Sequence, residues 1–568
     1  MTDMNDSASK SVGLSRIQTA VFKDPEILGG GLLLTAVLII GLITASDYGL
    51  TTDEFIFDAY GPKALAWYSS WFTNRSLFEY GDTYLYGPWF QILVAVAQST
   101  HSAKPFVVRH ALSFVVGLSG IAALLPLGRL AVGPWTGFAA VVLCLTTGNL
   151  YGHLFFTPND IPFLAAMTWA TLAIVVMSKS AIPTWPATLA AGLSTGLAIS
   201  TRFGGILSQL YLIGAMVMCA LSLFSVSDRR KGCFVAISVR TLTALIIGWL
   251  TAIALWPWLQ APNPIFRFLE VYNYFIRSYV QFEFEAWGQK VTSGALPWHY
   301  VPGQLLARLP EGFVALLIIA AIFGAVAFGR FFRECGARIK QDGLSGIMTS
   351  VSELARWRGL LIVAVAALAP PIFVVVRGSV VFDGLRHLIF ILPMLALLAA
   401  WALLQMAPLL LRMPTYAAGL VALHLITTVS IMVYLHPLEY IAVNAFAGGP
   451  VGAYGRFDLD YWSAAATEAV RRLEERLARH PPVEFAMRQP RVMVCIGFRE
   501  SMVEPIFSQP WIVTTEPTEA DFVIVTERSK CARNVRGIII DRVERFGRIF
   551  AATIEMPRRE SRAGQPLE

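Results

Sequence analysis

Charge is what this sequence has least of. Asp, Glu, Lys and Arg make up 15% of its 568 residues against 55% hydrophobic, and the mean hydropathy is +0.58. Soluble domains carry about 25% charged residues, so an ordinary soluble enzyme is excluded, and the apolar runs are long enough to span a bilayer. Cysteine is sparse too, at six. Cys144, Cys219, Cys233 and Cys335 lie in or beside apolar segments with no C-x-x-C spacing, which implies neither a zinc site nor a redox motif. Cys495 and Cys531 lie near the C-terminus, where a disulfide and a pair of free buried thiols both fit the sequence. No small-residue cleavage site follows the first apolar run, which therefore reads as a retained span and not a signal peptide. An internal repeat across the spans is missing, as are the paired broken helices of an alternating-access transporter. The net charge of +7 does not point to nucleic acid, because Lys and Arg cluster in short loops between apolar runs, as the positive-inside rule expects.

What is present threads as eleven spans, near 27–46, 106–128, 134–153, 161–178, 186–202, 205–224, 238–258, 312–329, 359–376, 388–406 and 416–435. Lys10, Arg16 and Lys23 place the N-terminal segment 1–26 in the cytoplasm, and Arg229-Arg230-Lys231 and the cluster Arg330, Arg333, Arg338, Lys340, Arg356 and Arg358 then fall on the same side. The odd count puts residues 436–568 outside, in the periplasm or its equivalent. Residues 47–104 form a first external loop whose amphipathic, aromatic pieces 62–72 and 88–99 suit interfacial helices. Residues 259–310 form a second. The tail reads as a helix near 461–480 followed by short β-rich runs at 492–496, 511–514, 522–525 and 537–540. The expected fold is thus a polytopic α-helical membrane protein of about eleven transmembrane helices, with a transmembrane domain at 27–435 and a small C-terminal α/β domain at 436–568.

The ionisable residues worth following sit at the ends of spans, where such groups are costly unless they are paired or functional. Asp53-Glu54 follows the first span, and Asp160 opens a later one after Asn159. Each also reads as a helix cap or first-turn residue. Two acids converging at one membrane face fit general-base work, metal binding or the positioning of a sugar hydroxyl. A divalent ion is permitted by such a pair without being demanded. Arg386-His387 begins a span and reads either as an interface anchor or as an anion site at a helix N-terminus. Arg202, at the end of another span, reads as a second anion contact or as a snorkelling side chain. In the second external loop, Trp287, Trp298 and His299 belong to an aromatic stretch that fits an interfacial belt or a lid stacking on a pyranose ring. Asp458 and Asp460 read as turn and cap residues, and nothing in the tail reads as catalytic.

An apolar span followed by Asp-Glu in the first external loop, a second Asp at the next external turn and an external C-terminal domain resemble the GT-C superfamily of polyprenyl-phosphate-sugar-dependent glycosyltransferases. The similarity is greatest to the glycosyltransferase family 39 group, which holds the protein O-mannosyltransferases and the lipid A aminoarabinose transferases. It covers roughly 27–435. The stretches Asn159-Asp160-Ile161-Pro162-Phe163 and Asp383-Gly384-Leu385-Arg386-His387, and the run from Gly448-Gly449-Pro450 to Asp460-Tyr461-Trp462, look like those of bacterial members. The resemblance implies Asp53 as catalytic base with Glu54 beside it, Asp160 as the second acid, and Arg386, His387 and Arg202 as a clamp for the donor phosphate. Where the aminoarabinose transferases carry Lys-Pro-Pro, this chain has Tyr84-Leu85-Tyr86-Gly87-Pro88, so phosphate contact passes to Tyr84, Tyr86, Arg202 or Arg386. It further implies an inverting transfer from a polyprenyl-phosphate sugar, with no other cofactor firmly required, to an acceptor lipid, glycan or protein. The location implied is the bacterial inner membrane, among membrane lipids and without nucleic acid. A transporter or lipid flippase with external ionisable sites is the rival reading. It predicts charges near mid-span and symmetric halves, and the sequence has neither.

Overall fold

The computed structural model describes residues 24–100, 105–156, 159–222, 230–278, 281–486, 488–495, 506–509, 511–529 and 535–557. The chain enters through α1 (Pro25–Thr44), α2 (Thr52–Ser69) and α3 (Trp89–Thr100), then α4 (Pro105–Ala122) and α5 (Leu124–Ala131). Next come α6 (Thr136–Leu145), α7 (Gly148–Phe156), α8 (Asp160–Lys179), α9 (Trp185–Ile199), α10 (Ile206–Ser222), α11 (Arg230–Leu255) and α12 (Pro264–Asn273). A hairpin of β1 (Glu283–Ala286) and β2 (Gln289–Thr292) precedes α13 (Tyr300–Arg308), α14 (Glu311–Asp342), α15 (Leu344–Leu354), α16 (Arg358–Arg377), α17 (Leu392–Leu410) and α18 (Pro414–Leu435).

Among the described residues, nine helices are long and apolar enough to cross a membrane. The expected span 134–153 is instead α6 and α7, bent by 74° at their junction, which makes a tenth if the pair counts as one. The expected span 186–202 is α9, whose 15 residues cover roughly 22 Å, short of a hydrocarbon core of about 30 Å. It ends early because Arg202 takes an extended backbone (φ −148°, ψ 149°) and starts a short 3-10 turn.

Burial decides where the centre lies. Of the most apolar stretches of α8 and of the Arg386–Leu410 span, 83% of residues are buried, against 17% in α1, α11 and α14. The helices that carry Asp160 and Arg386 are therefore the most buried of the nine spans.

In the first loop, the piece expected at 62–72 begins ten residues earlier. Thr51 caps α2 and Glu54 returns a bond to the cap backbone, a capping box that starts the helix there, and Pro62 lies inside it. The second piece is α3, as its apolar face predicts. The β1–β2 hairpin in the second loop was not legible, since its four-residue strands alternate too briefly to register.

The tail folds as expected and further. A helix α19 (Ala465–Arg479) packs on a sheet built from β3 (Arg491–Cys495), β4 (Ile512–Val513), β5 (Phe522–Thr526), β6 (Ile538–Arg545) and β7 (Arg548–Glu555), ordered β4-β3-β5-β7-β6, in which β3 runs parallel to β4 and β5. The sheet closes on an antiparallel hairpin, β6 with β7. Asp541-Arg542 interrupts the apolar pattern of β6, which hides the second half of that strand in the sequence. Cys495 is disulfide-bonded, while Cys531, its partner in the sequence expectation, lies outside the described residues.

Candidate active site

The capping box that starts α2 separates two adjacent acids. The Glu54 carboxylate turns back to the Thr51 backbone N–H and hydroxyl (3.0 and 2.9 Å) and takes His110 Nε2 at 2.9 Å on its other oxygen. Asp53 points elsewhere, to Arg386, with which it forms an ion pair through Nη2.

Arg386 is the hub. It sits on the short 3-10 helix Arg386–Ile391 that leads into α17, and each of its donor nitrogens meets a different acid. Nη2 binds Asp53, Nε reaches Asp160 at 3.1 Å, and Nη1 reaches Asp383 at 3.2 Å. The guanidinium lies 5.2 Å from the ring centroid of buried Trp462, within cation–π range. Asp160, the first residue of α8, also pairs with Arg202.

Asp383 is held by backbone geometry. It and Gly384 are both left-handed (φ 57° and 67°), a pairing that Asp tolerates and Gly supplies without steric cost. Its second oxygen accepts from Arg528 Nη1 at 3.1 Å, so a side chain of the C-terminal domain reaches into the cluster. Burial pushes the Asp383 carboxyl up to about 6, while Arg528 pulls it down. Three guanidiniums, Arg202, Arg386 and Arg528, thus meet three carboxylates, Asp53, Asp160 and Asp383. Such pairs hold only where the partners and hydrogen bonds are complete.

The loop before α3 is pressed against this cluster. Arg202 lies over the Tyr86 ring at 5.9 Å, the Tyr60 hydroxyl donates to the Tyr86 carbonyl at 2.8 Å, and Trp89 Nε1 donates to the Thr201 hydroxyl at 2.7 Å. Gly87 allows the approach: a Cβ there would lie 1.3 Å from the Ser200 carbonyl oxygen.

The residues singled out in the sequence divide accordingly. Asp53, Asp160, Arg386 and Arg202 meet directly, with Tyr86 alongside. Tyr84 packs instead against Trp258 (4.6 Å), and the His387 ring stands edge-on to Phe382 (4.5 Å). Trp287 packs on Phe457 (4.7 Å) at the hairpin tip, and Trp298 and His299 are exposed, paired with each other. Sequence reasoning missed Asp383, Trp462 and Arg528 as site residues. Asp383 carried a signal, an Asp-Gly turn three residues before Arg386. Arg528 carried none.

A cavity of about 580 Å³ adjoins the cluster, lined among others by Phe282, Glu285, Asp458, Tyr461, Glu527 and Arg528. Arg528 is shared by cavity and cluster, and Tyr461 packs edge-on against Trp462 at 4.8 Å. Burial raises the Asp458 carboxyl, with Arg528 opposing. Among the described residues, no group of three or more His, Cys, Asp or Glu side chains is placed to hold a metal ion.

No family model and no curated protein matches this sequence. Solved structures do. The chain is similar to ArnT from Cupriavidus metallidurans in the apo state, at 14% identity over 93% of this chain and 98% of that one, with a TM-score of 0.43. It is similar to ArnT bound to undecaprenyl phosphate, at 13% identity over 92% and 98%, with a TM-score of 0.41. A third likeness is the archaeal oligosaccharyltransferase AglB from Archaeoglobus fulgidus in complex with an inhibitory peptide and a dolichol-phosphate, at 12% identity over 87% and 69%, with a TM-score of 0.43. At TM-scores below 0.5 these likenesses assign no residue and no activity.

Proposed function

We propose that this protein is an inverting membrane glycosyltransferase of the GT-C type, moving a sugar from a polyprenyl-phosphate donor to an acceptor hydroxyl on the periplasmic face of a bacterial inner membrane. The observation that carries the reading is Arg386, at the start of one of the two most buried spans, bonded to three carboxylates, Asp53, Asp160 and Asp383. Charged groups placed there are a functional site by default, and the sequence resemblance names three of these four residues, Asp53, Asp160 and Arg386.

The donor brings its own leaving group, so the protein has to anchor a phosphate and activate a hydroxyl. Asp53 is the most exposed of the three acids, with 19% of its side chain accessible against 4% and 5% for Asp160 and Asp383. It holds Arg386 through one nitrogen, whereas Asp160 binds two guanidiniums. A donor phosphate competing for Arg386 and Arg202 therefore displaces Asp53 first. That exchange anchors the leaving group and releases a carboxylate beside it. The acceptor oxygen, arriving from the 580 Å³ cavity, attacks the anomeric carbon as its proton passes to Asp53. The bond from that carbon to the phosphate oxygen breaks, its electrons leave on polyprenyl phosphate, and one displacement inverts the centre.

Removing a general base costs roughly 10²–10⁴-fold in rate. The full chain in nanodiscs, supplied with a radiolabelled polyprenyl-phosphate sugar and cell-envelope extract as acceptor, should transfer label, and Asp53→Asn should lose transfer by that factor while staying folded. Near wild-type transfer by Asp53→Asn removes Asp53 from the mechanism, and no transfer by the wild type removes the reaction.

A further inference from the structure

The C-terminal domain supplies a side chain to the cluster, and the geometry points to a role for it in the chemistry. Arg528 follows β5, whose last residue is anchored by the Thr526 hydroxyl donating to Ser463 Oγ at 2.9 Å, next to Trp462. From there Arg528 donates to Asp383 Oδ1 and to the Tyr461 carbonyl, both at 3.1 Å, and stands 3.7 Å from Asp458. Asp383 spends its other oxygen on Arg386. One carboxylate thus spans two guanidiniums, one from each domain.

We infer that Arg528 is a positioning residue for the transfer reaction: it keeps Asp383 in place and ionised, and Asp383 in turn orients Arg386 toward the donor phosphate. The inference rests on the transferase reading and adds to it that the C-terminal domain completes the active site.

The groups facing Asp383 are few. They are Arg386 on its own turn, Arg308 and Tyr300 on α13, Asp458 and Tyr461 on the segment before α19, and Arg528. Burial alone would favour the neutral acid and Asp458 adds to that; Arg528 and Arg308 oppose it. A neighbouring cation lowers an Asp pKa by about one to three units. Without Arg528, the Asp383 carboxyl, already at about 6, rises into the neutral range, where it becomes a neutral acid and releases Arg386 Nη1. Raising the pH restores the carboxylate.

The test compares wild type, Arg528→Gln, Arg528→Lys, Asp383→Asn and the double variant Arg528→Gln/Asp383→Asn, all as the full chain in nanodiscs, over pH 5.5 to 9. For Arg528→Gln, the acid limb of transfer should move up by about one pH unit, giving a loss of about threefold near pH 6.5 and about eightfold at pH 5.5 that recovers by pH 8.5. Arg528→Lys should keep the limb near that of wild type, which a purely structural defect would not do. On the Asp383→Asn background, Arg528→Gln should add nothing. An unmoved limb in Arg528→Gln, or an equal loss on both backgrounds, overturns the inference. Polyprenyl-phosphate binding is measured over the same pH series, so that a wild type that binds but transfers nothing refutes the transferase reading and still tests Arg528. In that case a pH dependence of binding identical in wild type and Arg528→Gln overturns the inference.

Discussion

Replacing Asp160 and replacing Asp53 by Asn should separate stability from catalysis. Asp160 is almost fully buried and accepts from two guanidiniums, Arg202 and Arg386. Bonds to charged groups contribute about 1.5–3 kcal/mol each. Asparagine keeps one acceptor oxygen, so one charged contact is lost and the other weakens, and the two guanidiniums lose a shared counter-charge. Breaking a fully buried pair costs about 3–5 kcal/mol. Each guanidinium here retains 14% exposure, which favours the lower end, about 3 kcal/mol for Asp160→Asn. Asp53 makes a single charged contact and is more open to water, which screens the pair, so Asp53→Asn should cost only about 1 kcal/mol while lowering transfer roughly 10²–10⁴-fold. Equilibrium unfolding in mixed micelles with SDS, followed by far-UV circular dichroism at one pH, measures both. If Asp53→Asn destabilises as much as Asp160→Asn, or if Asp160→Asn unfolds like the wild type, the ranking of the two acids by burial and partner count is refuted, and with it the account of which one a phosphate displaces.

Two further outcomes follow from the same geometry. Asp460 is buried beneath the start of α19, accepting from the Tyr440 hydroxyl and from the backbone of Ala464 and Ala465, and burial pushes its carboxyl up to about 7 despite those bonds. Since this lies above the unfolded value of about 3.9, the folded state binds the extra proton. Its contribution to stability is complete below pH 4 and is lost as the pH rises to 7. Asp460→Asn should therefore show a flatter decline in stability between pH 4.5 and 7.5 than the wild type, and equal declines would contradict the assignment. At Gly87, alanine would place Cβ 1.3 Å from the Ser200 carbonyl oxygen. The loop has to lift, drawing Tyr86 from Arg202, at about 1–3 kcal/mol; unchanged unfolding of Gly87→Ala would show that the loop is not pinned there.

The sequence by itself determined the class of this protein. Long apolar runs cannot be buried in a soluble domain of this size, and backbone groups in lipid have to be satisfied by helices, so most of the spans were legible from hydropathy alone. Cap chemistry was legible as well: Thr51 and Glu54 sit three residues apart, and local hydrogen bonds depend on local spacing. Four of the charged residues that cluster, Asp53, Asp160, Arg202 and Arg386, stood out because polar groups at span ends are few. Only the tertiary structure decided how they combine. That Glu54 turns to the cap and His110 while Asp53 turns to Arg386 depends on which helix packs behind α2. The short α9 and the bend between α6 and α7 depend on packing that hydropathy does not record. Arg528 was silent in the sequence because an arginine after a short strand resembles any other exposed cation. Its partner, Asp383, lies 145 residues away, and ion-pair chemistry depends on distance in space, which folding alone sets.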